Sequence, residues 1–256
     1  AAAVRRLVAD ALAEDPLLKR AEVLDEPLAG GPFPRGASRL FAKEGVVGLI
    51  NVDVTAELAL KLAMAYGTTL PKGASVTTSR DAHPASRVFK RALICGLNST
   101  GVVVRDLRVA SSAINRFEVK NGNTQGGMHV RISPWDPEMV QIQVFEPPGV
   151  TISEKRQKDI EKYYARQDFR RGFYSEFGEI QFPDRAMETY VRGLTRNLDM
   201  EAIRDRGFRV VIDYSGSAAS LVVAPPGVYA GAALTRLLHP HQVRAATIAP
   251  TLLASF

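Results

Sequence analysis

The sequence predicts an α/β protein in which strands and helices alternate along the chain and pack in layers. Short apolar runs separated by helical stretches of roughly 10–15 residues are typical of strands connected through helices. Of the 256 residues, 46% are hydrophobic and 23% are charged, which argues against a disordered, collagen-like or disulfide-stabilised protein. The length suits one or two domains with a buried core.

The predicted elements begin before the main domain. A helix is expected at Ala3–Leu24, where apolar residues recur at helical spacing until Pro16 interrupts them. Residues 25–36 are rich in Gly and Pro and predict a linker. These two segments make up the first predicted unit, residues 1–37.

Residues 38–150 are predicted to form the main domain. Thr55 is a good N-cap for a helix that runs through Leu58 and Leu62 and stops at Gly67. The elements expected after it are strand Ala74–Thr78, helix Pro84–Asn98 with Val88, Ala92 and Leu93 inward, strand Gly101–Asp106, an irregular helix near Ala113–Val119, and strands Gly127–Ile132 and Val140–Phe145.

The remaining residues are predicted to form a helical bridge, 151–183, and a partial second domain, 184–256. The bridge contains a helix at Ser153–Arg166. Helices near Asp184–Leu198 and a strand at Phe208–Tyr214 are expected in the second domain. From Ser215 onward only Arg236 and Arg244 carry a formal charge. This tail is either a buried helix–loop region or not a normal continuation of the domain.

Charge and apolar content exclude two classes of partner. The formal net charge is +6, but the basic residues are mixed with acids, as in Glu154–Lys162, which predicts a solvated helix face rather than a nucleic-acid surface. No apolar run reaches the length of about 18 residues that a membrane span needs. The N-terminus lacks the apolar core of a signal peptide, and the single Cys95 agrees with a reducing compartment. We therefore expect a cytoplasmic protein.

Four blocks occur in the order and spacing of one known family. Phe41–Gly48 is similar to Phe-Gly-Thr-Ser-Gly-Ile-Arg-Gly, Ser79–Asp81 to Gly-Arg-Asp, and Gly96–Val102 to Gly-Leu-x-x-x-Gly-Val. Gly127–Phe145 aligns without gaps on a strand–loop–strand that reads Thr-Ala-Ser-His-Asn-Pro and then Tyr-Asn-Gly-Ile-Lys-Val-Phe. Ser38–Arg171 therefore resembles the first domain of the α-D-phosphohexomutases, the phosphomannomutase/phosphoglucomutase family. The resemblance implies a three-layer αβα sandwich, followed by a truncated second α/β domain.

The resemblance also implies intramolecular phosphoryl transfer on hexose phosphates, namely the 1- and 6-phosphates of mannose or glucose. Ser133 falls on the serine that carries the phosphoryl group in the family, and Arg131, Arg80 and His129 are the cationic side chains nearest to it. The family holds Mg²⁺ between the phosphoserine and three aspartates of an Asp-Gly-Asp-Gly-Asp-Arg loop, which does not occur in this sequence. We therefore expect this chain alone to be inactive.

Several positions depart from the family's motifs. Pro134-Trp135-Asp136-Pro137 stands where the family has His-Asn-Pro, Val47 replaces an arginine, and Gln143 replaces a lysine. The Ser-Pro-x-Asp-Pro loop is similar to mutase-like domains fused behind sugar-nucleotide pyrophosphorylases. It implies an alternative function: a non-catalytic module that binds a sugar phosphate or holds an assembly for a nucleotidyltransferase domain or subunit of the mannose-1-phosphate guanylyltransferase type.

Strand alternation bears on the candidate residues themselves. It sends His129, Arg131 and Ser133 to one face of their strand, so that Arg131 and Ser133 can share a phosphate. A serine that ends a strand before a proline is also an ordinary turn residue. In the same loop, Asp136 is either a surface turn residue or a metal ligand, and Trp135 either anchors the loop or stacks on a sugar.

Overall fold

The computed structural model describes residues 39–196, 198–205, 209–212 and 233–237. The expected helix at Ala3–Leu24 and the linker at 25–36 lie outside the described residues. The same holds for the tail beyond Ser215, apart from the strand at 233–237.

Strands and helices alternate through the described part of the chain, as the sequence predicts. The strands are β1 (Val46–Leu49), β2 (Ser75–Arg80), β3 (Val103–Val109), β4 (Gly126–Ile132), β5 (Met139–Glu146), β6 (Val150–Thr151), β7 (Ile180–Gln181), β8 (Arg209–Ile212) and β9 (Ala233–Leu237). The helices are α1 (Ala56–Thr69), α2 (Pro84–Ser99), α3 (Ser112–Asn121), α4 (Glu154–Arg166), α5 (Ala186–Thr195) and α6 (Met200–Asp205).

The first seven strands form one mixed sheet in the order β1-β5-β4-β2-β3-β7, with β6 added beside β5. Strand β2 runs parallel to both β3 and β4, and β3 runs parallel to β7. Strand β5 runs antiparallel to β1, β4 and β6. The carboxyl ends of β2, β3 and β4 therefore lie at the same edge of the sheet, which is where α/β proteins place their ligands.

Helices cover both faces of this sheet, and the predicted αβα layering is confirmed. On one face, α1, α2 and α4 bury a continuous apolar cluster against the strands; it includes Leu62, Tyr66, Leu93, Leu97, Val76, Val104, Met128, Val130 and Ile160. On the other face, Ile114 of α3 packs with side chains of α5. Because both faces are covered, even polar residues of the central strands are buried.

Two predictions about the first helices need correction. Helix α1 begins after the Thr55 cap, whose hydroxyl accepts the Leu58 N–H, but it continues past Gly67 to Thr69. Gly67 is a contact residue instead, because a Cβ there would collide with Thr100 at the end of α2. In α2, Leu93 is buried and Ala92 packs against the core as predicted, whereas Val88 is 53% exposed and Phe89 is buried in its place.

The limits of the third strand also differ from the prediction. Gly101 has a φ of +78°, and the Val102 N–H donates to Leu97 O. These residues close the end of α2, and β3 therefore starts only at Val103. Strand β1, which pairs with β5, was not predicted as a strand at all.

The region expected to be a helical bridge packs tightly on the sheet layer. Helix α4 packs against α1. Beyond it, the Arg170 guanidinium donates to Gly67 O, Leu70 O and Thr100 O at 2.6 to 2.9 Å. This side chain thus holds the carboxyl ends of α1 and α2 together, where a positive charge is also favoured by the helix dipoles. Within the described residues, no helix combines the length and apolarity that crossing a membrane requires.

Candidate functional site

Ser133 lies in the loop between β4 and β5, at the sheet edge where β2, β3 and β4 end. Its backbone N–H donates to Met139 O at 2.8 Å, which closes the loop. Its hydroxyl accepts the Trp135 N–H at 3.3 Å, and the residue is half-buried. The serine backbone is therefore held by the sheet while its hydroxyl remains accessible.

Asp81, the residue after β2, holds the loop of Ser133 in place. Its carboxylate accepts the Ile132 N–H at 2.7 Å and the His83 N–H at 3.0 Å, and its own N–H donates to Val130 O. One carboxylate therefore ties the end of β4 to the start of α2. Asp81 was not predicted as a site residue, although it belongs to the same Ser79–Asp81 block as Arg80.

Arg131 lies on β4, two residues before Ser133. Its Nε–H donates to Gln141 Oε1 at 2.6 Å, and its Nη2 lies 3.8 Å from a carboxylate oxygen of Glu44 in the opening loop. The side chain is 31% exposed. Arg131 is thus a partly accessible cation, two residues before Ser133 in the chain.

His129 lies one row deeper in β4 and is 2% exposed. Its Nδ1 lies 2.8 Å from Ser79 Oγ, and that hydroxyl also accepts an N–H of Asn115 from α3. Burial lowers the pKa of His129 to about 4, with a smaller lowering effect of Arg131 and an opposing effect of Asp81. The imidazole is therefore neutral at pH 7, which corrects its expected role as a cation near Ser133.

This buried histidine predicts a specific loss of stability in acid. The pKa of His129 is about 4 in the folded chain, against 6.5 for an unperturbed histidine, so the unfolded state binds the proton first as the pH falls. We expect the free energy of unfolding to drop between pH 6.5 and 4 by on the order of 3 kcal/mol from this group. Urea titrations across this range should give a flatter profile for His129→Gln, and equal slopes would contradict the prediction.

Arg80 is the last residue of β2, and its side chain is held by the residue that follows it. It is 8% exposed, and its Nη1 donates to Asp81 O at 2.6 Å. Burial lowers the pKa of Arg80, as does the nearby Arg87, whereas Asp81 and Asp106 oppose this effect. Arginine nevertheless stays protonated at neutral pH, so Arg80 contributes a buried positive charge beside Asp81.

A buried ion pair joins α2 to the middle of β3. Lys90 of α2 donates to both carboxylate oxygens of Asp106, at 2.6 and 2.8 Å. Asp106 also accepts the Arg108 N–H at 2.8 Å. Burial lowers the pKa of Lys90, and the hydrogen bond to Asp106 opposes this effect. The pair links α2 to β3, which is separated by β2 from the strand that leads into the serine loop.

The described residues do not fit a Mg²⁺ ion on their own. Asp136 accepts the Glu138 N–H at 2.9 Å, as in a surface turn, and both carboxylate oxygens of Asp81 accept backbone N–H groups. Across the described ranges, no three His, Cys, Asp or Glu side chains are grouped to hold a metal.

Trp135 is 85% exposed, so its ring does not anchor the loop and is free to meet a ligand.

These observations define an αβα domain with a held serine loop at the carboxyl edge of its parallel strands. Residues 38–171 match the family model for phosphoglucomutase/phosphomannomutase, alpha/beta/alpha domain I. The chain belongs to the phosphoglucomutase/phosphomannomutase family. This confirms the resemblance drawn from the four sequence blocks.

Known proteins support the same assignment. A phosphoglucomutase/phosphomannomutase of Thermococcus kodakarensis is 33% identical over 189 residues, which are 72% of this chain and 41% of the relative. A phosphoglucosamine/phosphogalactosamine mutase of Sulfurisphaera tokodaii is 29% identical over 72% of this chain and 40% of its own length. The crystal structure of a phosphoglucomutase/phosphomannomutase family protein of Burkholderia thailandensis superposes with a TM-score of 0.61 at 19% identity, over 72% of this chain and 40% of that one, and shows the shared fold. The chain thus spans about two fifths of the length of these relatives.

Proposed function

We propose that this chain is the first-domain part of a phosphohexomutase, and that Ser133 carries the phosphoryl group. In the transfer, an oxygen of a hexose monophosphate hydroxyl bonds to phosphorus and the bond from phosphorus to Ser133 Oγ breaks. The hydroxyl proton of the sugar replaces the phosphoryl group on Ser133, so that the step balances. The bisphosphate then turns over and returns its other phosphoryl group to the serine. The substrates proposed are the 1- and 6-phosphates of glucose or mannose.

The observation that carries this proposal is the way the loop holds Ser133. Hydrogen bonds fix the backbone that leads into the serine, at Ile132 N and Ser133 N, while the hydroxyl accepts one N–H, that of Trp135, at 3.3 Å. Phosphoryl transfer depends mainly on positioning and on neutralising charge. A fixed backbone supplies the first, and the guanidinium of Arg131 supplies part of the second.

The Mg²⁺ that the family implies belongs to the proposal for the complete gene product. When bound, such an ion would neutralise negative charge on the phosphoryl group in the transition state. Among the described residues, the phosphate on Ser133 would be a ligand of the ion, and no cluster of carboxylates lies ready to complete the site.

The proposal predicts a single covalent site. When the complete gene product that carries these residues is incubated with hexose 1,6-bisphosphate and Mg²⁺, phosphate should map to the Ser133 peptide by mass spectrometry. Ser133→Ala should remove the label. The control is Ser111→Ala, because Ser111 follows β3 at the same edge of the sheet and its side chain makes no capping hydrogen bond; this variant should label normally. Phosphate on another residue, or none, would refute the proposal.

One observation favours a second function, binding of a hexose phosphate without transfer beside a nucleotidyltransferase domain or subunit. Pro134 has no N–H to offer to a phosphate on Ser133, whereas most residues at this position would have one. Under this function the chain would bind hexose 1-phosphate in an equilibrium titration. It would not be labelled, and Ser133→Ala would bind the sugar phosphate as the unmodified chain does.

A further inference from the structure

We propose that Gln141 is a positioning residue that turns the guanidinium of Arg131 toward a phosphate on Ser133, with Glu44 completing the hold. This inference rests on the proposed function, because it concerns the phosphorylated form of that serine. Nothing in the sequence analysis singled out either residue. Their role follows from the pairing of three strands and from the hydrogen bonds of one amide group.

The strand register places Val47, Gln141 and Arg131 in one row across β1, β5 and β4. Gln141 of β5 lies directly opposite Arg131 of β4 on one side and opposite Val47 of β1 on the other. Directly opposed residues of antiparallel strands present their side chains on the same face. Ser133 follows Arg131 by two positions and so shares that face. Gln141 therefore lies beside the arginine and on the serine's side of the sheet.

The amide of Gln141 is used at both ends. Its Oε1 accepts the Arg131 Nε–H at 2.6 Å, and its Nε2 donates to Glu44 O at 2.8 Å and to Glu44 Oε2 at 3.0 Å. The residue is 1% exposed, so no water competes for these groups. The reverse orientation would set an N–H against an N–H and a carbonyl against a carbonyl. One orientation of the amide, and hence of the arginine, is favoured.

The hydrogen bond to Gln141 uses Nε of Arg131 and leaves the two terminal nitrogens, Nη1 and Nη2, to bind a ligand. Nη2 lies 3.8 Å from the Glu44 carboxylate, which is beyond hydrogen-bond distance. A phosphate dianion placed beside the guanidinium would accept charge-assisted hydrogen bonds, about twice as strong as neutral ones. Glu44 thus balances the arginine's charge in the unphosphorylated chain without blocking it.

The test titrates the phosphate itself and needs no turnover. Phosphoserine is encoded at position 133 of the complete gene product, and the second pKa of its phosphate is followed by phosphorus NMR. This pKa is ordinarily about 6. A guanidinium held close by stabilises the dianion, so we expect a pKa lowered by about one unit. Gln141→Met should return it toward 6 with the arginine still present.

The matched control is Gln143→Met. Gln143 is the same residue type on the same strand and face, opposite His129 and one row farther from Ser133. It should leave the phosphate's pKa unchanged. Arg131→Lys keeps the charge but loses the group that Gln141 binds; it should raise the pKa as Gln141→Met does, and the double variant should show no further shift.

Two results would overturn the inference. One is an equal shift for Gln141→Met and Gln143→Met, and the other is an unchanged pKa in Arg131→Lys. The Arg131→Lys result can be obtained even if Gln141→Met does not fold. Neither result depends on catalysis, so a failed inference and a failed proposal of function remain distinguishable. Labelling at Ser133 with an unresponsive phosphate would refute the positioning role alone.

Discussion

Ser133→Ala in the complete gene product is expected to lower the rate of hexose 1-phosphate to 6-phosphate conversion by at least about 1,000-fold. Removing the group that carries a covalent intermediate abolishes the route, and losses of this size or larger are typical of nucleophile deletions. The fold should survive, because the backbone hydrogen bond from residue 133 to Met139 O does not involve the side chain. Coupled assay of hexose 6-phosphate formation measures the effect.

Ser111→Ala serves as the control for this rate as well. Ser111 lies at the same edge of the sheet and precedes α3, and its variant should keep the rate within about twofold. Urea unfolding of both variants separates chemistry from folding. A Ser133→Ala enzyme that still converts its substrate at the normal rate would show that the loop is not the site of transfer.

Asp106→Leu is expected to destabilise the fold by about 3–5 kcal/mol. Breaking a buried ion pair leaves an unpaired charge out of water. Lys90 and Asp106 side chains are only 8% and 9% exposed, so the ammonium of Lys90 would lose its partner where water cannot replace it. Urea or thermal unfolding of the variant measures the loss.

Two further variants test whether the charge itself causes the loss. Lys90→Met combined with Asp106→Leu should be more stable than Asp106→Leu alone, since apolar pairs often replace buried ion pairs at little cost. Lys61→Met breaks the Glu57–Lys61 pair on the surface of α1 and should cost less than about 0.5 kcal/mol. A double variant no more stable than the single one would contradict this explanation.

The order of elements was predictable because each has a local signal. Thr55 caps α1, and glycine, proline and turn residues separate the runs that become β2 to β5. The errors arose where tertiary contacts decide. Position 67 requires glycine because a Cβ there would collide with Thr100 at the end of α2. Strand β1 forms because β5 pairs with it. Neither partner is visible in a local window of sequence.

The candidate site divides in a similar way. The positions of Ser133 and Arg131 in the fold were predictable from the family blocks and from strand alternation, and their roles stay predictions. Asp81, Gln141 and Glu44 were not, because their contacts depend on which strands are neighbours and in which register. His129 was placed on the correct strand and face, but its neutral state follows from the helix that covers that face. Pairing and burial therefore carry the information that the sequence pattern lacks.

Transfer of the phosphoryl group from Ser133 to a sugar tests the central claim most directly. The complete gene product with phosphoserine encoded at position 133 is mixed with glucose 1-phosphate or mannose 1-phosphate and Mg²⁺, and phosphorus NMR follows both species. We expect the hexose 1-phosphate signal to be replaced by a hexose 6-phosphate signal with no bisphosphate added, while the phosphoserine signal is retained because each bisphosphate returns a phosphoryl group to Ser133. Hexose 1-phosphate signals that stay unchanged for both sugars would contradict the proposed function.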